Sequence, residues 1–283
     1  MKKYTLKNEE QELFYESIEH NTQEEAIAAL KDKRIVKYRT KTVRAGKQVY
    51  VEVFPIWKTY DGLRKARSVN SRNAQVKLND KNAKKHAVRL VNQNFTDEDF
   101  WATFTYLDKY LPKTREEAEK NLRKFIRALR DKAKSKYGIK LKCFYVTEFE
   151  TDPKKGKIRC HHHLITNYPN RDELESTWKY GGRNNVRRLS ADEYGYEGLV
   201  LYLLKGEKKG RRYGVTRGME KYKVTVADGK ITRGRAMKIA LGDIDGREFF
   251  EKNYPDFLMS DIKVRFSDVV SGVYICVRMH RGG

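Results

Sequence analysis

The sequence predicts an α+β fold, an antiparallel sheet with helices on one face and extensions at both ends of the chain. Three observations predict it: strand-length runs of aromatic and β-branched residues, helix starts marked by capping residues, and their alternation as β-α-β-β-α-β-α between residues 96 and 220. A chain of 283 residues that is 39% hydrophobic, with 18 Tyr and 12 Phe, also has enough apolar material for a core.

Residues 1–95 read as a basic accessory region. A short helix is expected after Thr22, which forms a capping box with Glu25, and a hairpin around Arg44-Ala45-Gly46-Lys47. From Arg72 to Asn92, Val76, Leu78, Ala87, Val88, Leu90 and Val91 are interleaved with Lys77, Lys81, Lys84, Lys85 and Arg89. This is the pattern of a helix that packs on one side and offers cations on the other.

Regular patterning begins at Phe100. The run Trp101-Ala102-Thr103-Phe104-Thr105-Tyr106 reads as a buried strand. Thr114 and Glu117 form a capping box for a long helix with Ala118, Leu122, Phe125, Ile126, Leu129 and Ala133 on one face, and Gly138 supplies its stop. Lys142–Phe149 and Ile158–Thr166 read as the arms of a hairpin joined by the turn-like segment 152–156. Asn170 with Glu173 starts a helix ending near Gly181-Gly182. Asn185–Leu189 is a candidate strand, and Ser190 with Glu193 opens a helix through Lys205 that Gly206 can end. Within 96–220 this order is the ferredoxin-like split βαββαβ arrangement with one added helix. Residues 221–283 form a C-terminal extension with a helical stretch near Ala236 to Tyr254 and a terminal strand Gly272–Val277. The pattern leaves open whether they extend the core sheet or form a separate lobe.

The charge balance points to a partner. With 61 Lys+Arg against 38 Asp+Glu the net charge is +23, and such a surplus attracts a polyanion through counterion release, so nucleic acid is expected. Cys143, Cys160 and Cys276 contain no C-x-x-C pair, which argues against a disulfide framework or a structural zinc site. No apolar run reaches the ~18 residues of a membrane span. The start MKKYTLKNEE lacks the apolar stretch of a secretion signal, so a cytoplasmic protein without membrane association is expected.

Three of the 6 histidines are consecutive, His161, His162 and His163, in the second arm of the hairpin. Side chains alternate faces along a strand, so His161 and His163 point one way, about 7 Å apart, and His162 the other. The hairpin sets Glu148 across from His161, with Glu150 next in rank because it lies nearer the turn. Two imidazoles and a carboxylate with open positions suit Mg2+ or Mn2+ acting as a Lewis acid on a phosphate. Tyr202 lies in an otherwise apolar helical run and is expected to be buried or half-buried against the sheet. Lys205, three residues on, shares its helical face and can stabilise a phenolate or the phosphate it attacks. The stretch Glu207 to Arg217 is Gly-rich and basic with one aromatic, composed for phosphate contacts and stacking through Lys208, Lys209, Arg211, Arg212, Tyr213 and Arg217.

Taken together, these residues resemble the HUH endonuclease superfamily, whose signature is His-hydrophobic-His on a strand followed by a helical Tyr. The closest resemblance is to the single-tyrosine rolling-circle replication initiators of bacterial plasmids and phages. Phe104-Thr105-Tyr106, Cys160-His161-His162-His163-Leu164-Ile165 and Tyr202-Leu203-Leu204-Lys205 correspond to its three motifs, with Thr105 carried over as a DNA contact. His162 departs from the apolar middle residue, and spacing alone leaves it open as a ligand with another partner. Tyr196 lies about 240° round the helix from Tyr202 at ~100° per residue, which favours a one-tyrosine enzyme. The resemblance implies attack by Tyr202 on single-stranded or hairpin origin DNA, a 5′-phosphotyrosine and a 3′-OH that primes replication. A host polymerase extends it, and a host helicase unwinds, since the chain has no phosphate loop of the G-x-x-x-x-G-K-S/T type. The alternatives are a transposase or conjugative relaxase of the same superfamily and, from another class, a non-catalytic basic nucleic-acid-binding protein.

Overall fold

A computed structural model describes residues 35–57, 69–149, 159–205, 212–266 and 272–282. The expected helix start at Thr22 and the turn at 152–156 lie outside these residues, as do Glu150, Gly206, Lys208, Lys209 and Arg211. The described residues form a mixed α+β protein with two antiparallel five-stranded sheets and six α-helices, the fold class the sequence predicts. They divide into two compact units. The first holds Met1–His86, Glu193–Gly195 and Tyr222–Gly283, and the second Ala87–Asp192 and Tyr196–Lys221.

The first unit is built on the hairpin of β1 (Ile35–Ala45) and β2 (Gln48–Trp57). Ala45 pairs with Gln48, and the two-residue turn between them takes φ 59° at Gly46, a conformation glycine adopts without Cβ strain. The other strands are β8 (Lys223–Asp228), β9 (Phe257–Phe266) and β10 (Val273–Arg281), in the order β8-β1-β2-β10-β9. The C-terminal extension, whose place the pattern left open, therefore joins the sheet of the N-terminal hairpin, with β10 pairing to β2. Val49, Val51, Val53, Ile275, Val277 and Met279 bury one sheet face against Ile239, Phe250 and Tyr254. The single helical stretch expected from Ala236 to Tyr254 is in fact two helices, α5 (Arg233–Leu241) and α6 (Gly246–Asn253). The Asp245 side chain accepts a hydrogen bond from Arg247 N and caps a new start.

The helix α1 (Val69–Asn94) ends in the second unit. Its last turns are buried all round, Arg89 and Asn92 included, so Arg89 is not among the cations offered to solvent as expected. The strands β3 (Phe100–Thr105), β4 (Cys143–Glu148), β5 (His161–Thr166), β6 (Asn185–Arg188) and β7 (Gly214–Val215) form the sheet β6-β3-β5-β4-β7.

The helix α2 (Arg115–Tyr137) starts where Thr114 Oγ1 accepts from Glu117 N at 3.2 Å and stops at Gly138, φ 65°. Ala118, Leu122, Phe125, Leu129 and Ala133 pack on Phe104, Ala102 and Leu164, each large apolar side chain contributing about 1.5–3 kcal/mol over exposure. The helix α3 (Arg171–Thr177) is capped by Asn170 as expected but ends before Gly181. Trp178 leaves the helix, buries its ring against Phe104 and Phe125, and donates from Nε1 to Thr105 O at 2.8 Å. The helix α4 (Glu197–Leu203) begins later than the Ser190 start the sequence suggests. Asn92 Oδ1 holds Tyr196 N at 2.9 Å, and Asp97 Oδ1 holds Ala191 N at 2.8 Å, fixing the segment before it in a non-helical course.

Candidate active site

The site is organised by strand register. In the antiparallel pair β4–β5, Glu148 lies opposite His161 and Val146 opposite His163; in β3–β5, Thr103 lies opposite His163 and Thr105 opposite His161. Alternation then gathers Glu148, His161, His163, Thr103 and Thr105 on one face. The face carrying His162 also carries Phe104 and Thr147.

Glu148 Oε2 is 3.3 Å from His161 Nε2, and Glu148 Oε1 is 3.3 Å from His163 Nε2. The imidazole rings stand 4.8 Å apart at 89°. Among the described residues the three side chains can each offer one ligand atom within 4.8 Å of the others, a set able to hold a metal ion. The fit extends beyond the ligand atoms. His163 Nδ1 is held by Thr103 Oγ1 at 3.0 Å and His161 Nδ1 by Arg159 O at 2.8 Å. With each Nδ1 occupied, both Nε2 atoms are directed at the carboxylate, as outer partners orient metal-binding histidines. Hydrogen bonding to His163 holds the Glu148 carboxyl below its usual range against the opposing effect of burial, with the nearby His161 acting in the same direction as the bond.

His162 serves the other face. It is fully buried, with Nε2 2.8 Å from Tyr106 Oη and Nδ1 3.0 Å from Thr147 Oγ1, inside an aromatic cluster with Tyr106 and Trp178. Burial first, then the two neighbouring imidazoles, push its pKa down to about 3, so it is neutral. Spacing left it open as a ligand; its position does not bring it to the cluster. Cys160 is in the same apolar core, its thiol pushed up to about 12 by burial, and likewise stands apart from the histidine pair.

Tyr202 corrects one expectation and meets another. Its ring centroid is 6.2 Å from that of His163, on the metal-ligand face, yet it is 42% exposed rather than buried. Val200, Leu201 and Leu203 carry the packing of the short α4 and leave position 202 outward. Lys205 lies two residues past the last helical residue, so helical spacing does not set its direction; its N–H donates to Tyr202 O at 3.2 Å and its side chain is exposed. Tyr196 is buried and donates to Asp97 Oδ1 at 2.9 Å, away from the histidines.

Of the expected DNA contacts, Thr105 shares the face of His161 and donates from Oγ1 to Arg183 O at 2.9 Å. Arg217 is exposed, Arg212 half-buried, and the Tyr213 ring is stacked on Phe144 at 4.9 Å, which commits one of its faces. Sequence reading overlooked Thr103, Thr147 and Tyr106 as supports of the histidines. Strand parity was the signal, since Thr103 and Thr105 share a face of the strand next to the triple histidine.

Residues 99–207 match the family model for the replication-associated protein ORF2, a match that supports a role in initiating replication. The matched segment contains Glu148, His161, His163 and Tyr202. No curated protein and no solved structure matches the chain. No described helix is long and apolar enough to cross a membrane.

Proposed function

We propose that the chain nicks and rejoins single-stranded DNA at a replication origin, with Tyr202 as nucleophile and Mg2+ or Mn2+ held by Glu148, His161 and His163. The observation that carries this reading is the 6.2 Å separation of the Tyr202 and His163 rings, with Tyr202 the outward-facing residue of a short, otherwise packed helix. Two imidazoles and one carboxylate leave positions for phosphate oxygens, and a cation there would polarise the scissile phosphate as a Lewis acid.

The chain's own groups supply the rest. Thr103 and the Arg159 carbonyl keep both imidazoles aimed at the phosphate position. Tyr202 Oη attacks phosphorus; as the O–P bond forms, the bond from phosphorus to the 3′-oxygen breaks. The phenolic proton is lost to solvent and the 3′-oxygen regains one, leaving a 3′-OH and a 5′-phosphotyrosine. One phosphodiester replaces another, so a later 3′-OH reverses the step and rejoins a strand. An ordinary phenol titrates near ~10, and the Lys205 ammonium near Tyr202 is suited to balance the phenolate that forms. The 3′-OH is a primer for a host polymerase, and unwinding falls to a separate helicase. With one tyrosine, termination uses a second copy, water or a second round of attack.

The test is incubation of the protein with end-labelled single-stranded origin DNA and Mn2+, followed by denaturing electrophoresis. A label that migrates with the protein in SDS supports the reading; a wild type that forms no such species on any origin strand contradicts it, and leaves the basic binding protein as the better account.

A further inference from the structure

On the face of β4 opposite to Glu148, Tyr145 and Thr147 look toward the first turns of α2. With Arg115, Arg123 and Arg212 they line a cavity of about 140 Å3, bordered by the short edge strand β7. At roughly 30 Å3 per water this is four to five water volumes, room for a phosphate with part of its sugar or base. Among the cavity residues Glu119 is the one carboxylate. Arg115 Nε is 3.3 Å from its Oε1 and Arg123 Nη1 3.4 Å from its Oε2, so one acid braces two guanidinium groups that outnumber it, and Arg212 adds a third.

Such a cluster recognises an anion with several oxygens, because guanidinium forks pair with phosphate oxygens two at a time. The neighbouring wall is shaped as well as charged. A Cβ on Gly214 would collide with the Tyr145 ring, so β7 runs against the phenol only because that residue is glycine. The cavity also joins the site through the sheet: Thr147, in its wall, holds His162 Nδ1 at 3.0 Å, between the two residues proposed as ligands.

We infer that this cavity is a nucleotide-phosphate subsite, holding one phosphate of a DNA strand or of a free nucleotide against Arg115, Arg123 and Arg212 with its sugar or base toward Tyr145. The inference rests on the reading of the chain as a DNA strand-transfer enzyme, and takes the DNA strand over the β4–β7 edge of the sheet.

The test measures binding of a fluorescent dT12 oligonucleotide in EDTA, which removes any contribution from the cation site, for wild type, R123Q/R212Q and R130Q. Arg130 lies on the same helix outside the cavity. The double variant is expected to bind at least about tenfold more weakly, as loss of charge-assisted contacts does, with a salt slope shallower by about 0.7 per lost phosphate contact. R130Q is expected to bind as wild type, and unchanged thermal midpoints show that all three proteins fold. Competition by millimolar dTMP identifies a free nucleotide as the occupant; slope loss without competition identifies the strand. Equal affinity and slope for wild type and the double variant, or the same loss in R130Q, overturns the subsite. Adduct formation is scored separately: double-variant protein that binds dT12 normally and still forms the adduct removes the subsite alone. A wild type that forms no adduct while the double variant loses binding removes the nuclease reading alone.

Discussion

Glu148 pairs with His161 across the β4–β5 ladder and touches it side chain to side chain, Oε2 to Nε2 at 3.3 Å, while its other oxygen reaches His163 at the same distance. One carboxylate thus spans two imidazoles two residues apart, which strand alternation alone makes possible.

Thr103 gives the first prediction. Replacing it with Val keeps the shape and removes the oxygen 3.0 Å from His163 Nδ1, freeing that ring to turn. Loss of such an outer partner costs about 10–100-fold in metal affinity, so T103V should bind Mn2+ that much more weakly by calorimetry. Unchanged Mn2+ affinity would show that Thr103 does not orient the ligand.

His162 should behave as part of the core. H162L leaves the Tyr106 and Thr147 hydroxyls without their ring partner in a buried place, a loss of about 1–3 kcal/mol for each unsatisfied group. The expected result is a lower urea midpoint with Mn2+ stoichiometry intact. A variant as stable as wild type that no longer binds Mn2+ would make His162 a ligand.

Glu173 supplies a dependence on pH. Lys136 foremost, then the Tyr137 and Tyr168 hydroxyls, hold its carboxyl at about 2. A carboxyl depressed in the folded state stabilises above its unfolded value of ~4.3, and that stability is lost as pH falls from there through about 2. E173Q should therefore melt below wild type at neutral pH, with the gap closing between these values. A gap that stays constant down to the acid end would remove this linkage.

The metal-ligand geometry was legible because it is local. Parity puts His161 and His163 on one face, and a short hairpin fixes Glu148 opposite His161, with no need of distant contacts. The exposure of Tyr202 was not legible, because an apolar run such as Gly198 to Leu204 looks buried on every side until it is known which three residues do the packing. The late start of α4 was hidden for a related reason: Ser190 and Glu193 have the spacing of a cap, but Asn92 and Asp97, about a hundred positions earlier, hold the backbone instead. The first unit's sheet was the least legible part. It pairs β1 with β8 and β2 with β10, and the Arg39–Asp228 ion pair that ties its edge joins residues 189 apart. Nothing in a local window encodes such a partnership, and β8, exposed along its whole length, lacks the buried alternation that marks a strand.

The central claim is that Tyr202, beside the Glu148, His161 and His163 cluster, is the residue that becomes joined to DNA. The most direct measurement is tryptic peptide mapping by mass spectrometry of the protein after reaction with single-stranded origin DNA and Mn2+ and nuclease trimming. The account predicts a nucleotide remnant on Tyr202, absent in Y202F and in H163A. A remnant on Tyr196 or any other residue, or an adduct that persists in Y202F, would contradict it.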